Sequence, residues 1–389
     1  METEPTKAKK KLWVFAAASF LNDMGSDIIY PIWPLFVTQV LKANMAALGF
    51  LDGLGDALVS LSQAASGYAS DRIRKRKIFI WTGYLCGSLS RLGYAISAVW
   101  QHLVPFRILD RAGKVRSAPR DAMVADMTTA SERGRSFGLL RAMDNLGAVC
   151  GILICIAFLN LLGYRLLFAL AALPSLLSAM LVFSLIKEKR AGSTRLYKGL
   201  SLKDLGKDFR VYLLLSGIFS LGTFSYSFLL VHAKMHGFKV TFVPVLYLIF
   251  TTAASLFSLP FGGLADRIGR KTVLYLAFFF WAAVCAGMIT SPSRPLIILI
   301  FVLYGLHKAA LEPVQRTLVL ELSPLPFRAS CLGAFQMITG LCALPASFVA
   351  GLLWDKVGME APFVFSLALT VLAAGLLLLL KEKPSPLGG

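Results

Sequence analysis

Two copies of one short motif lie half a chain apart. The first reads Gly67-Tyr-Ala-Ser-Asp71-Arg72-Ile-Arg74-Lys-Arg76-Lys77, and the second reads Gly262-Gly-Leu-Ala-Asp266-Arg267-Ile-Gly269-Arg270-Lys271. Glycine, aspartate and arginine all return 195 positions later in a chain of 389 residues, and Pro119 and Pro313 repeat at nearly the same distance. Repetition at this period predicts a fold of two related halves.

The composition on both sides of these motifs is that of a membrane protein. Hydrophobic residues make up 57% of the chain, and the mean hydropathy is +0.69. A bilayer core needs about 20 apolar residues for each helix that crosses it. Twelve such stretches are predicted, near residues 12–40, 44–69, 78–99, 103–127, 136–160, 164–186, 211–232, 241–263, 273–291, 295–320, 330–353 and 361–380.

The net charge of +19 is distributed unevenly between the two ends of these stretches. If the amino terminus faces the cytoplasm, the cytoplasmic segments hold 25 of the 40 lysines and arginines. The opposite face holds only six, which are Lys42, Arg165, Lys234, Lys239, Arg294 and Lys356. This bias follows the positive-inside rule and predicts that both termini are cytoplasmic. Basic charge that sets topology in this way argues against a nucleic-acid partner.

An all-α fold of two pseudo-symmetric six-helix bundles follows from these patterns. The predicted division is residues 1–186 for the first bundle, 187–210 for a cytoplasmic linker and 211–389 for the second bundle. The six cysteines lie in apolar stretches without zinc-ligand spacing, and His232 and His236 form only a lone pair. No metal and no cofactor are therefore expected.

The repeated motif resembles the signature loop between helices two and three of the major facilitator superfamily, and the likeness extends over nearly the whole chain. The second copy matches throughout, whereas the first has Arg74 where the family usually has glycine. The resemblance implies that Asp71, Arg72, Asp266 and Arg267 act as gating residues rather than substrate ligands. Gly67, Gly262 and Arg141 belong to the same predicted gating set. The alternative is that the two loops are basic turns that only set topology.

Ionised side chains inside membrane helices point to function, because each is unfavourable there unless it faces a partner or a cavity. Asp23 and Asp27 lie four residues apart in the first helix and share one face with Tyr30. Two neighbouring carboxylates suit a proton site or a cation site. The alternative is a structural role, in which Asn22 and Asp23 hydrogen-bond to the facing bundle.

A basic stripe lies on the fourth helix, where Arg107, Arg111 and Lys114 recur at helical spacing. By resemblance, Arg107 occupies the position of an arginine associated with proton coupling in the family's antiporters, and helices one, four, seven and ten line the substrate cavity. The cavity would then also include Tyr226, Glu312 and Gln315. The alternative is that Asp110 and the helix-one carboxylates merely neutralise the stripe. The charged residues of helix two, Asp52 and Asp56, and of helix five, Arg141 and Asp144, could likewise neutralise one another between helices.

No ATP-binding loop of the G-x-x-x-x-G-K-[ST] type occurs in the sequence, which favours a secondary active transporter. We expect alternating-access export of a small organic solute across a bacterial inner membrane, coupled to protons, by a monomer in the lipid bilayer. Uptake of a metal chelate, metal cation or metabolite is the alternative. The sequence lacks the motifs of a membrane enzyme, and two related bundles favour a carrier over a channel.

Overall fold

The chain is described by a computed structural model over residues 4–73, 75–129, 132–188, 206–290, 293–323 and 328–380. These residues are almost entirely helical and contain no strand. The helices are α1 Glu4–Ile29, α2 Trp33–Leu35, α3 Met45–Ile73, α4 Lys77–Ile96, α5 Leu103–Ala112, α6 Ser117–Met127, α7 Arg133–Leu185, α8 Lys207–Gly222, α9 Ser227–Met235, α10 Val243–Ile268, α11 Arg270–Ile289, α12 Arg294–Leu322, α13 Arg328–Lys356 and α14 Ala361–Leu378.

These helices follow the twelve predicted membrane spans. Eight described helical segments are long and apolar enough to cross a membrane. One of them, Gly134–Leu185, covers two predicted spans, because Gly163 adopts φ 66°, ψ 179° and interrupts the helix. The three other spans are formed by α1, by α4, and by α5 together with α6. Each of them holds charged side chains inside its apolar sequence. The chain is thus an integral membrane protein whose fold has twelve helical spans, some of them divided between two of the labelled helices.

Prolines explain why the first span is not one straight helix. Pro31 and Pro34 cannot donate backbone hydrogen bonds, so α1 ends at Ile29 and the chain turns before α2. A π turn over Phe36–Val40 continues the span. This break sets the positions of Tyr30 and Trp33, which both contact arginines of α5.

The chain divides into two compact units. The first consists of Met1–Ala43 and Leu58–Tyr197, and the second of Asn44–Ala57 and Lys198–Gly389. The first half of α3 therefore packs with the second unit. Most of the predicted linker, residues 189–205, lies outside the described residues, and the predicted division into bundles stays a prediction.

Each unit has its own apolar core. In the first unit, α1, α4, α6 and α7 contribute buried side chains that include Phe15, Ile80, Tyr84 and Val182. In the second unit, the rings of Phe219 and Phe278 stack with centroids 4.4 Å apart, while other large apolar side chains of both units are exposed, as expected for surfaces in contact with lipid.

The start of α3 is capped by a carboxylate from α13. Asp355 accepts hydrogen bonds from the backbone N–H groups of Met45 at 3.0 Å and Ala46 at 2.8 Å. Asn44 adds a third acceptor, because its Oδ1 receives the N–H of Ala47 at 3.0 Å. Three N–H groups that have no partner within the helix are satisfied in this way, and the negative charge lies at the positive end of the helix dipole.

We expect Asp355→Ala to lower the free energy of unfolding by about 1 kcal/mol, because it removes both acceptors of the cap. Asp355→Asn is the matched control, since it keeps one carbonyl acceptor and should retain part of that stability. Thermal unfolding in detergent measures both variants. Equal stability of Asp355→Ala and wild type would show that water replaces the carboxylate without loss.

Candidate functional site

Basic side chains of α5 meet aromatic rings next to the break after α1. Arg111 Nη1 donates to the Tyr30 hydroxyl at 3.2 Å, and its guanidinium lies 5.2 Å from the Tyr30 ring centroid. The guanidinium of Arg107, which is only 4% exposed, lies 4.6 Å from the ring centroid of Trp33. Contacts of this kind stabilise a cation that has lost most of its water. The structure therefore brings Tyr30, Arg107 and Arg111 together next to this break.

Asp110 is the central anion of this group. Its Oδ2 lies 3.5 Å from Arg111 Nε, and its side chain is 11% exposed. Its carboxylate also interacts electrostatically with Arg91, Arg107 and Lys114. Four cations thus act on one carboxylate, and the group is basic overall. We call Asp110, Arg91, Arg107, Arg111 and Lys114 the basic cluster.

Arg91 of α4 is a member of this cluster that the sequence patterns do not single out. Its guanidinium is 2% exposed and donates to the Asn22 carbonyl at 3.2 Å and to Ser26 Oγ at 2.7 Å. It also donates to the Ala171 carbonyl at 3.0 Å and to the hydroxyl of Ser175. Arg91 therefore joins α1, α4 and α7 through neutral acceptors. Its only sequence signal is a lone charge inside an apolar stretch.

The two helix-one carboxylates occupy different surroundings. Asp27 is 9% exposed, and Asp23 is half-buried and accepts a hydrogen bond from Asn22 Nδ2 at 2.9 Å. Asp23 also interacts electrostatically with Asp144 of α7 and with Arg91. Both carboxylates thus belong to the first unit, and their place in a coupling cavity stays a prediction.

A second arginine group lies nearby in the first unit. Arg120 of α6 donates to Asp121 Oδ1 at 3.0 Å and to Ser19 Oγ at 2.5 Å. Arg120 Nη1 is 3.9 Å from Asp144 Oδ1. Asp144, which the sequence predicts to be neutralised by charges of another helix or to neutralise them, thus belongs to a group that spans α1, α6 and α7.

The second unit holds the three remaining predicted cavity residues. Tyr226, at the break between α8 and α9, packs edge to face on Tyr247 with ring centroids 5.2 Å apart. Glu312 interacts electrostatically with Lys308, whose Nζ lies 5.8 Å from the Tyr304 ring centroid. The backbone carbonyl of Gln315 accepts from the Tyr212 hydroxyl at 3.4 Å. Each of these three predicted residues thus contacts a different partner within the second unit.

The repeated loops show matching ion pairs within their own units. In the second unit, Arg270 pairs with Glu321 at 2.7 Å and with Asp266 at 3.1 Å. In the first unit, Arg76 pairs with Asp126 at 2.5 Å. Asp126 and Glu321 are 195 positions apart, the same offset as the motifs, and this repeat could have been found in the sequence.

The other predicted gating residues are less constrained by the structure. The side chains of Asp71 and Arg72, and the surroundings of Gly67, lie outside the part of the chain that the structure describes. Arg141 and Arg267 are exposed, and Gly262 has open space where a Cβ atom would be. Gating by these residues stays a prediction.

Comparisons with known proteins agree with this architecture. The family model for the Major Facilitator Superfamily matches residues 15–252 and 212–388. An uncharacterized MFS-type transporter of Methanocaldococcus jannaschii is 34% identical, over 95% of this chain and 94% of that protein. Multidrug resistance protein 2 of Bacillus subtilis is 24% identical, over 94% of this chain and 93% of that protein. The crystal structure of the nucleoside transporter NupG, 15% identical, superposes with a TM-score of 0.78 over 95% of this chain and 100% of that chain.

Proposed function

Since the chain belongs to the Major Facilitator Superfamily, a family of transporters, we propose that it exports a small organic solute by alternating access in exchange for protons. The observation that carries the proposal is the basic cluster. Four cations act on Asp110 within helices that cross a membrane, where an excess of charge requires a function or a partner. An excess of positive charge favours a solute with an acidic group, either an anion or a zwitterion.

Proton coupling is proposed from the first helix. Asp23 and Asp27 are carboxylates in the interior of the same unit, and a carboxylate can carry the proton that a gradient drives. Their negative charge next to the basic cluster would change on protonation and alter how strongly the cluster holds an acidic solute. Proton binding and solute binding would thereby be linked.

The proposed direction of transport is export. Export is supported by the likeness to the Bacillus subtilis protein, whose name assigns it to multidrug resistance. A cytoplasmic membrane location with both termini inside is supported by the distribution of lysine and arginine. Uptake of a metal chelate or metabolite remains the second candidate, because the same charges could bind a substrate that enters with protons.

Reconstitution into liposomes tests solute class, coupling and direction together. Three radiolabelled probes are supplied outside: salicylate as an anion, glycine betaine as a zwitterion and tetraphenylphosphonium as a cation. We expect salicylate or betaine to accumulate when the interior is acidic, because protons that leave would drive the solute in. Salicylate that crosses by simple diffusion is subtracted with protein-free liposomes.

The opposite gradient separates the two candidates. Accumulation only when the exterior is acidic would indicate symport, and hence uptake. Accumulation of tetraphenylphosphonium alone would contradict the assignment of an acidic solute. If no probe moves faster than in protein-free liposomes under either gradient, the proposed solute class is wrong.

A further inference from the structure

One carboxylate oxygen in the first unit is buried without a hydrogen bond. Asp144 Oδ1 has no hydrogen-bond partner among the described residues, and the side chain is 15% exposed. Its nearest paired cation, Arg120 Nη1, is 3.9 Å away, beyond hydrogen-bonding distance. A buried oxygen of this kind is rare in proteins and calls for an explanation.

Arg120 does not satisfy this oxygen because other acceptors hold it. Its Nε donates to Asp121 at 3.0 Å, and Nη1 donates to Ser19 Oγ at 2.5 Å. The side chain of Asp121 is 46% exposed, whereas that of Asp144 is 15% exposed. The arginine therefore forms its shorter ion pair with Asp121, the more exposed of the two carboxylates.

The remaining neighbours act in both directions on a negative charge at Asp144. The carboxylate of Asp23 on α1 disfavours it as a like charge, whereas the hydroxyl of Ser19 favours it by hydrogen bonding to the Asp144 side chain. Arg141, one turn earlier on α7, is exposed and screened by water, so its attraction is weak. The charged and titratable groups that face Asp144 or its arginine are Asp23 from α1, Tyr84 from α4, Arg120 and Asp121 from α6, and Arg141 from α7.

We propose that Asp144 is a proton-binding site, in which its buried carboxylate takes up a proton. The proton enters from water, binds the carboxylate oxygen that accepts no hydrogen bond from Arg120, and returns to water when the site is solvated. No other bond forms or breaks. Proton binding at Asp144 stands on the local geometry alone, whereas its use in coupling rests on the proton exchange proposed above.

Thermal unfolding as a function of pH tests the site without any transport. A proton held by the folded protein and released on unfolding stabilises the fold at low pH, and this stability is lost as the pH rises. We expect the transition temperature of Asp144→Asn, relative to wild type, to rise by roughly 5 °C between about pH 5 and about pH 8, because asparagine keeps the neutral state at every pH. Glu132→Gln, which neutralises an exposed carboxylate of the same unit outside this group, is the matched control and should follow wild type across the range.

Infrared difference spectroscopy of the folded protein supplies a second measurement. As the pH is lowered from about 8 to about 5, the wild type should gain the carbonyl stretch of a protonated carboxylic acid, and Asp144→Asn should lack this signal while Glu132→Gln retains it. Identical spectra and parallel pH profiles for Asp144→Asn and wild type would overturn the site. A proton signal that is lost in Asp144→Asn, together with liposomes that show no proton-coupled flux, would confirm the site and refute the proposed coupling.

Discussion

Asp27→Asn is expected to abolish solute accumulation driven by a pH gradient while leaving exchange of solute across the membrane intact. Asparagine has the shape of aspartate but cannot carry a proton, so the solute would still bind and cross but would no longer be tied to the gradient. Asp27 is 9% exposed, in a helix that also holds Asp23. For one proton per solute, a gradient of one pH unit supports about tenfold accumulation, and the variant should reach only about equal concentrations on both sides.

The measurement compares net accumulation with counterflow of labelled solute in the same liposomes. Asp23→Asn is examined alongside, because either member of the predicted pair could carry the proton. Glu132→Gln, which neutralises an exposed carboxylate of the same unit, serves as the control and should accumulate solute like wild type. Unchanged accumulation in both helix-one variants would remove these residues from coupling. Loss of both accumulation and counterflow would assign them to solute binding instead.

The twelve spans are predictable from the sequence because the bilayer imposes one length and one polarity on every crossing. Even the break at Gly163 falls in the gap between two predicted spans, 136–160 and 164–186. The interruption after α1 is also predictable from the sequence, because Pro31 and Pro34 lie about one turn apart there. These features depend on short stretches of sequence, and so they need no knowledge of the packing.

The candidate site is predictable only where its members share a helix. Arg107 and Arg111 lie one turn apart, and their spacing correctly predicts one basic face. Their partners come from other helices, so Tyr30 could be placed next to Arg111 only by the structure. Asp144 is the clearest example, because the structure places Arg120 of α6 and Asp23 of α1 beside it, and no spacing within one helix relates these residues.

The largest loss of stability is expected for Arg91→Leu. Leucine removes the four hydrogen bonds by which α4 holds α1 and α7, and breaking a buried hydrogen-bond network destabilises a protein by several kcal/mol in comparable cases. Gly25 shows how closely the guanidinium fits, because a Cβ atom at that position would collide with Arg91 Nη1 and the Ala171 carbonyl. We expect Arg91→Leu to lower the free energy of unfolding by about 3 kcal/mol or more, measured by thermal unfolding in detergent.

Arg165→Leu is the matched control, because Arg165 is exposed and donates one hydrogen bond to the Ala95 carbonyl at 2.8 Å. Its loss should lower stability by less than about 1 kcal/mol. Arg91→Lys should fall between the two, since one ammonium cannot reach acceptors on both sides of the guanidinium plane. If Arg91→Leu is as stable as Arg165→Leu, the arginine is not needed to hold α1, α4 and α7 together. Its burial next to Asp110 would then be explained by the charge that it supplies to the basic cluster, and the variant should fold but fail to transport.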